Sequence, residues 1–152
     1  MNALRRSLSV LIAFALLVVA PATAFGGTSC RNINATGVGQ DLGSGQTVGQ
    51  ISDGGLLQGT TAASFSITGI SGTVASFAGP ITFTTNRATL TATLVGTLDL
   101  ASGAFSAASS GILGTGKLAG ATGSLSFSGV ENLATGAFTE VVSGSICVEL
   151  AP

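Results

Sequence analysis

The chain has 152 residues, 23 of them glycine, with no histidine, tryptophan or tyrosine and a formal charge of −1 at pH 7. Without histidine, Ser-His-Asp and Cys-His nucleophilic systems and His-ligated metal sites are excluded. Nucleic-acid binding needs a basic footprint, and this chain has no basic cluster.

The amino terminus reads as an export leader. Arg5 and Arg6 precede an apolar run from Val10 to Ala20, Pro21 ends that run, and Ala22-Thr23-Ala24 supplies a small-x-small cleavage site. The run has about half the length a membrane-spanning helix requires. Residues 1–24 are therefore expected to be a signal peptide, and 25–152 a single β-barrel domain, secreted to an extracellular or periplasmic space with no remaining membrane span. That domain carries Arg31, Arg87 and Lys117 against Asp41, Asp53, Asp99, Glu131, Glu140 and Glu149, three basic and six acidic groups for a net −3. Export makes Cys30 and Cys147, near its two ends, readable as a disulfide. Such a bridge implies that the first and last strands are neighbours, as a closed barrel requires. Asp41 and Asp53 lie in the Gly-rich segment Gly37 to Gly55. Their spacing matches no oxygen-ligand template, so they read as turn residues.

Three stretches alternate at period two, with apolar residues on one face and hydroxyls on the other: Ser64 to Thr68, Thr89 to Leu94 and Ser124 to Ser128. That is the pattern of strands with one buried and one wet face. Pro80 before Ile81-Thr82-Phe83 reads as a strand start, where a missing donor is tolerated. The threonines Thr89, Thr91, Thr93 and Thr97 read as a solvated outer face.

The second half contains a repeat. Gly96 to Phe105 matches Gly129 to Phe138, the shared core being Asp or Asn followed by Leu-Ala-Ser/Thr-Gly-Ala-Phe. Each copy reads as a hairpin whose four-residue loop ends in a glycine of positive φ, with the Asp or Asn accepting turn amide protons. The period does not continue toward the amino terminus, so a solenoid is not indicated. About eight strands are expected.

Between the copies, Gly111-Ile112-Leu113-Gly114-Thr115-Gly116-Lys117-Leu118 comes close to a phosphate-binding loop. Leu118 stands where a Mg²⁺-binding hydroxyl is needed, and no helix pattern follows. The segment reads as a β connection. Gly114-Thr115-Gly116-Lys117-Leu118-Ala119-Gly120-Ala121-Thr122-Gly123 resembles the Gly-Thr-Gly-Lys-Phe-x-x-Ala-x-Gly stretch of dirigent proteins and the related stretch of allene oxide cyclases. Leu118 replaces the Phe of that pattern. The resemblance implies an eight-stranded antiparallel barrel with a hydrophobic lumen, a homo-oligomer as the assembly, and membership of the allene oxide cyclase/dirigent-like superfamily as a secreted bacterial relative. It transfers no catalytic residue.

Two candidate acids follow from the repeat. A four-residue loop pairs Glu131 with Phe138 and Gly129 with Glu140, which puts Glu131 and Glu140 on the face of Leu125, Phe127 and Val142. In the first copy the matching positions are Leu98 and Ala107. The sharper reading is a pair of acids at the mouth of a hydrophobic cavity, with burial raising their pKa toward general acid–base values. The plainer reading, given more weight, leaves Glu131 at a wet rim and lets a bulge turn Glu140 outward.

Phe65, Phe83, Phe105, Phe127 and Phe138 are candidate ligand-lining residues, and inward Ala92, Gly96, Ala107 and Gly129 favour some lumen space. The sequence thus points to an all-β, roughly eight-stranded antiparallel barrel closed by a terminal disulfide. The expected role is a secreted, non-catalytic binder of a small hydrophobic molecule in the lumen, with no cofactor and no metal. An enzyme or guide protein that steers cyclisation or coupling, and an extracellular structural or adhesive protein, are the alternatives.

Overall fold

The computed structural model describes residues 27–149; the expected leader and its cleavage site lie outside the described residues. Nine strands follow in chain order: β1 (Thr28–Gly43), β2 (Gln46–Ser52), β3 (Gly59–Ser64), β4 (Ser66–Ser71), β5 (Val74–Thr84), β6 (Thr89–Asp99), β7 (Ala104–Gly114), β8 (Thr122–Glu131) and β9 (Ala137–Glu149). They form one sheet in the order β3-β2-β1-β9-β8-β7-β6-β5-β4, and β3 also pairs with β5. That last pairing closes an eight-stranded antiparallel barrel and leaves β4 as an extra strand.

The extra strand continues β3 past a break. Phe65 interrupts the run, its N–H donating to the Gly45 carbonyl at 2.7 Å. β5 pairs with β3 through Ile81–Thr84 and with β4 through Val74–Ala78. Gly79 and Pro80 face the gap between these two ladders. Pro80 is thus not a strand start, as the sequence suggested, but a mid-strand residue opposite a break, where its missing donor costs no ladder bond.

β1 and β9 pair along thirteen positions from Thr28↔Glu149 to Gln40↔Ala137, with Cys30 opposite Cys147. The predicted disulfide is present and spans a sequence separation of 117. It marks one end of the barrel, the floor. There the two 3₁₀ turns Gly55–Leu57 and Gly116–Leu118 place Leu57 and Leu118 in the core. The Gly114–Gly123 segment that resembles a phosphate loop is part of this floor, and Leu118 seals it. At the other end, the mouth, lie the hairpin turns between β1 and β2, β4 and β5, β6 and β7, and β8 and β9.

The core occupies the floor half. Ile33, Ile51, Phe83, Leu90, Leu125, Val142 and Ile146 interlock there with almost no exposure. Alternate residues face out. Ser and Thr dominate the outer wall, joined by Val38, Val48, Val95, Val130 and Val141. On the register of the strands, no charged side chain lies on that wall between its ends. Thr91 and Thr93 are part of it, and Thr91 Oγ1 meets Thr82 Oγ1 at 3.2 Å.

Candidate functional site

In the mouth half the same alternation brings inward a different set of side chains. β9 contributes Phe138 and Glu140, β8 Phe127 and Glu131, β7 Phe105 and Ala107, and β5 Phe77, while Thr47 and Thr61 add hydroxyls from β2 and β3. Together they line a cavity of about 140 Å³ that opens at the mouth. Aromatic surface dominates it. Phe105 meets Phe138 edge-to-face with centroids 6.1 Å apart, and Phe65 leans on Phe77 at 5.1 Å. Such pairs hold their geometry through ring quadrupoles as well as burial.

Glycines make this wall. Three rings lie directly across the ladder from a glycine: Phe138 from Gly39, Phe77 from Gly96 and Phe105 from Gly129. A Cβ at Gly96 or Gly129 would come within 2.6 Å of the Phe77 or Phe105 Cζ, and one at Gly39 would collide with Phe138. The far edge of each ring reaches over its glycine, which restores apolar cover where a strand has no side chain. Inward Gly96 and Gly129 are therefore occupied by rings rather than empty. Of the positions expected to leave lumen space, Ala107 lines the cavity and Ala92 lies in the packed core.

Glu140 projects inward. β9 pairs without a register shift to both β1 and β8, so no bulge turns the residue out, in contrast to the plainer expectation. Its side chain folds over Gly37, where a Cβ would stand 2.7 Å from the Glu140 Cγ and 3.0 Å from the Ile51 Cδ1. Desolvation against these apolar neighbours pushes the Glu140 pKa up to about 7. Glu131, at the rim, is raised less, first by partial burial and then by the charge of Asp41. Among the described residues no cluster of acidic or sulfur ligands suits a metal ion.

One turn motif positions the rim. Asp99 Oδ1 accepts the Ala101 N–H at 2.9 Å, and Asn132 Oδ1 accepts the Ala134 N–H at 3.0 Å, as the repeat predicts. Those contacts, with the Ser102 and Thr73 hydroxyls, hold the Asp99 carboxyl below its usual range. The β1–β2 hairpin shares the Asp-Leu-x-Ser-Gly sequence but not the backbone: β1 runs through Gly43, which pairs with Gln46, and the turn itself is Ser44 and Gly45, at φ 55° and 75°. At the end of β1 the Gly43 N–H donates to Asp41 Oδ1 at 2.7 Å, the counterpart of the Asp99 and Asn132 contacts. Gly45, Gly103 and Gly136 close the three turns at φ 75°, 76° and 75°. Their carbonyls accept from the N–H of Phe65, Glu131 and Asp41, at 2.7, 2.9 and 2.8 Å. Two mouth carboxylates are thus held by their backbones to a neighbouring turn. The leucine of each segment, Leu42, Leu100 and Leu133, is exposed at the rim.

The described basic groups are confined to the floor end of the barrel, which also carries Asp53 and Glu149. Arg31 on the first part of β1, Arg87 in the β5–β6 connection and Lys117 in the floor turn all lie toward the floor. Asp41, Asp99, Glu131 and Glu140 all lie at or within the mouth half, where no described basic residue is found.

The structure brings together most of the residues singled out from sequence. Phe65, Phe105, Phe127 and Phe138 line the cavity with Glu131 and Glu140. Phe83 does not: it is wholly buried in the floor half, 6.2 Å from the Phe127 ring. Phe77, which sequence reading passed over, takes its place in the wall. No family model matches the chain, and neither a curated protein nor a solved structure matches it.

Proposed function

We propose that the protein is a secreted, non-catalytic binder that holds a small, largely apolar molecule in the mouth half of its barrel. The aromatic cavity carries this reading. Its volume is close to the roughly 150 Å³ at which a dry apolar cavity accepts a benzene-sized guest, and below that of drug-sized pockets. The cavity opens at the mouth, whose rim carries the exposed Leu42, Leu100 and Leu133. The export leader read in residues 1–24 and the Cys30–Cys147 bridge support an oxidising, extracytoplasmic location. The Gly114–Gly123 stretch, together with a closed eight-stranded barrel, supports kinship with the allene oxide cyclase/dirigent-like superfamily. The uncharged outer wall, with Val38, Val130 and Val141 exposed, supports a homo-oligomer, because a solvated surface ordinarily carries far more charge.

The test is native mass spectrometry of the secreted protein beside its Ala107→Leu variant, whose added methyls fill the cavity. The wild type should carry a bound small molecule, and the folded variant should not. Identical, ligand-free spectra from both, with no uptake of toluene by the wild type in solution, would sink the reading.

One observation favours a second reading. A carboxyl raised to about 7 inside a hydrophobic lumen is suited to proton transfer. A barrel that steers cyclisation or coupling of a bound substrate would use Glu140 in that role, with Glu131 at the rim. Turnover of a candidate substrate that survives Glu140→Gln unchanged removes Glu140 from that role.

A further inference from the structure

Of the three carboxylates that line the lumen among the described residues, Glu140 is set among apolar neighbours on the inner wall, and its surroundings say what should meet it. Glu140 stands on the cavity wall among Gly37, Gly129 and Ile51. No hydrogen bond or ion pair to its carboxyl is found among the described residues, since burial is the sole influence acting on it. The carboxyl is not sealed in either, because no wholly buried side-chain oxygen or nitrogen among the described residues lacks a partner. It therefore presents its acceptor oxygens to the cavity.

The rest of the wall is aromatic. The rings of Phe105, Phe127 and Phe138 border the same space, and phenyl faces attract cations at close range. The other titratable groups lining the cavity are Glu131 on β8 and Asp41 on β1, both acidic. β2, β3, β5, β6 and β7 bring no titratable side chain to it. With every described basic residue placed toward the floor, the mouth attracts cations and repels carboxylates and phosphates.

We propose that the lumen selects a small organic cation, a protonated amine on a single aromatic ring or a short hydrocarbon body, with Glu140 as its counter-ion and the phenylalanine cage around its apolar part. This rests on the lumen being a binding site and deepens that reading by naming the ligand class. The cavity's volume limits the body to roughly the size of one ring. A buried carboxylate with no internal donor gains a charge-assisted hydrogen bond from an ammonium and none from a hydrocarbon. A fatty acid or phosphorylated ligand would set its own charge against three carboxylates.

The experiment uses three probes of one shape, benzylamine, toluene and benzoate, titrated calorimetrically or by ¹H–¹⁵N shifts into wild type and Glu140→Gln at pH 8 and pH 5. Wild type should bind benzylamine at least tenfold more tightly than toluene at pH 8, and benzoate not at all. Acidification to pH 5 protonates Glu140 and should weaken benzylamine about tenfold or more while leaving toluene unchanged. Glu140→Gln should lose most of the benzylamine preference, keep toluene affinity and lose most of the pH dependence, the remainder coming from Glu131 at the rim. Toluene bound as tightly as benzylamine, or a benzylamine preference that survives Glu140→Gln undiminished, overturns the cation assignment and leaves the lumen site standing. Binding of none of the three probes overturns the lumen site as well. Tight benzoate binding overturns the charge argument outright.

Discussion

The two halves of the barrel share strands, closure and alternation, yet one is a packed solid and the other encloses a cavity. In the floor half, inward positions carry Ile, Leu, Val and Phe that interlock across the axis, with Leu57 and Leu118 closing the end. In the mouth half, glycine is paired with phenylalanine across the ladder, so each ring spends its surface covering a neighbouring strand rather than reaching the axis. An eight-stranded barrel is just wide enough for side chains to fill it. Whether it is filled depends on where the large residues point. The floor supplies the stability that lets the mouth keep its unfilled volume and its unpartnered acid.

If that division is right, the largest losses come from the floor. Replacing Cys30 and Cys147 together by serine should cost about 4–5 kcal/mol, the chain-entropy value for so long a loop. Urea unfolding with and without reductant measures it, and a loss under 1 kcal/mol would mean that the β1–β9 ladder alone fastens the closure. Next, Phe83→Ala should cost about 3–5 kcal/mol because the ring is wholly buried. Phe105→Ala, at the cavity wall, should cost less than half as much, since part of its surface already faces open space. Equal losses for the two phenylalanines would erase the distinction between the halves.

Glu140 distinguishes the halves through pH. Its folded-state pKa of about 7 exceeds the ordinary 4.5, so its contribution to stability is intact below about pH 4.5 and is lost as pH rises through 7. Glu140→Gln should therefore unfold like wild type at pH 4 and be more stable at pH 8 by an amount on the order of 3 kcal/mol. Thermal or urea denaturation at both pH values reads this directly. Parallel wild-type and variant curves would place the carboxyl in water.

Much of this division was legible before the structure. Period-two alternation located β6 and β8, and the Asp/Asn-Leu-Ala-Ser/Thr-Gly-Ala-Phe repeat fixed two hairpins with their register, which put Glu131 and Glu140 on the inner face. What escaped lies where glycine carries the structure. β1 shows no apolar alternation at Gly37 and Gly39 because Glu140 and Phe138 supply the cover there from another strand. The related Asp41 to Gly45 segment is followed by Gln46-Thr47 instead of Ala-Phe and turns over two residues rather than four, so it did not register as a repeat. Phe83 and Phe77 face inward at opposite ends of β5, and sequence carries no mark of which end holds the cavity. Whether Glu140 would be buried depended on an unbroken β9 ladder between two partners, a nonlocal property.

The smallest effect probes that shared turn. Asn132 accepts the N–H groups of Ala134 and Thr135 at 3.0 and 3.2 Å, and its loop ends in the Gly136 carbonyl that takes the Asp41 N–H. Asn132→Ala removes an exposed acceptor and should cost only about 1 kcal/mol. Its consequence is local all the same. With the loop loosened, the Gly136–Asp41 contact should open more often, seen as faster amide exchange at Asp41 than at any floor residue such as Ile146. Uniform acceleration across both residues would show that floor and mouth unfold as one unit. Selective acceleration at the mouth would show that the rim can move while the floor stays closed, which is what admission of a ligand past Leu42, Leu100 and Leu133 requires.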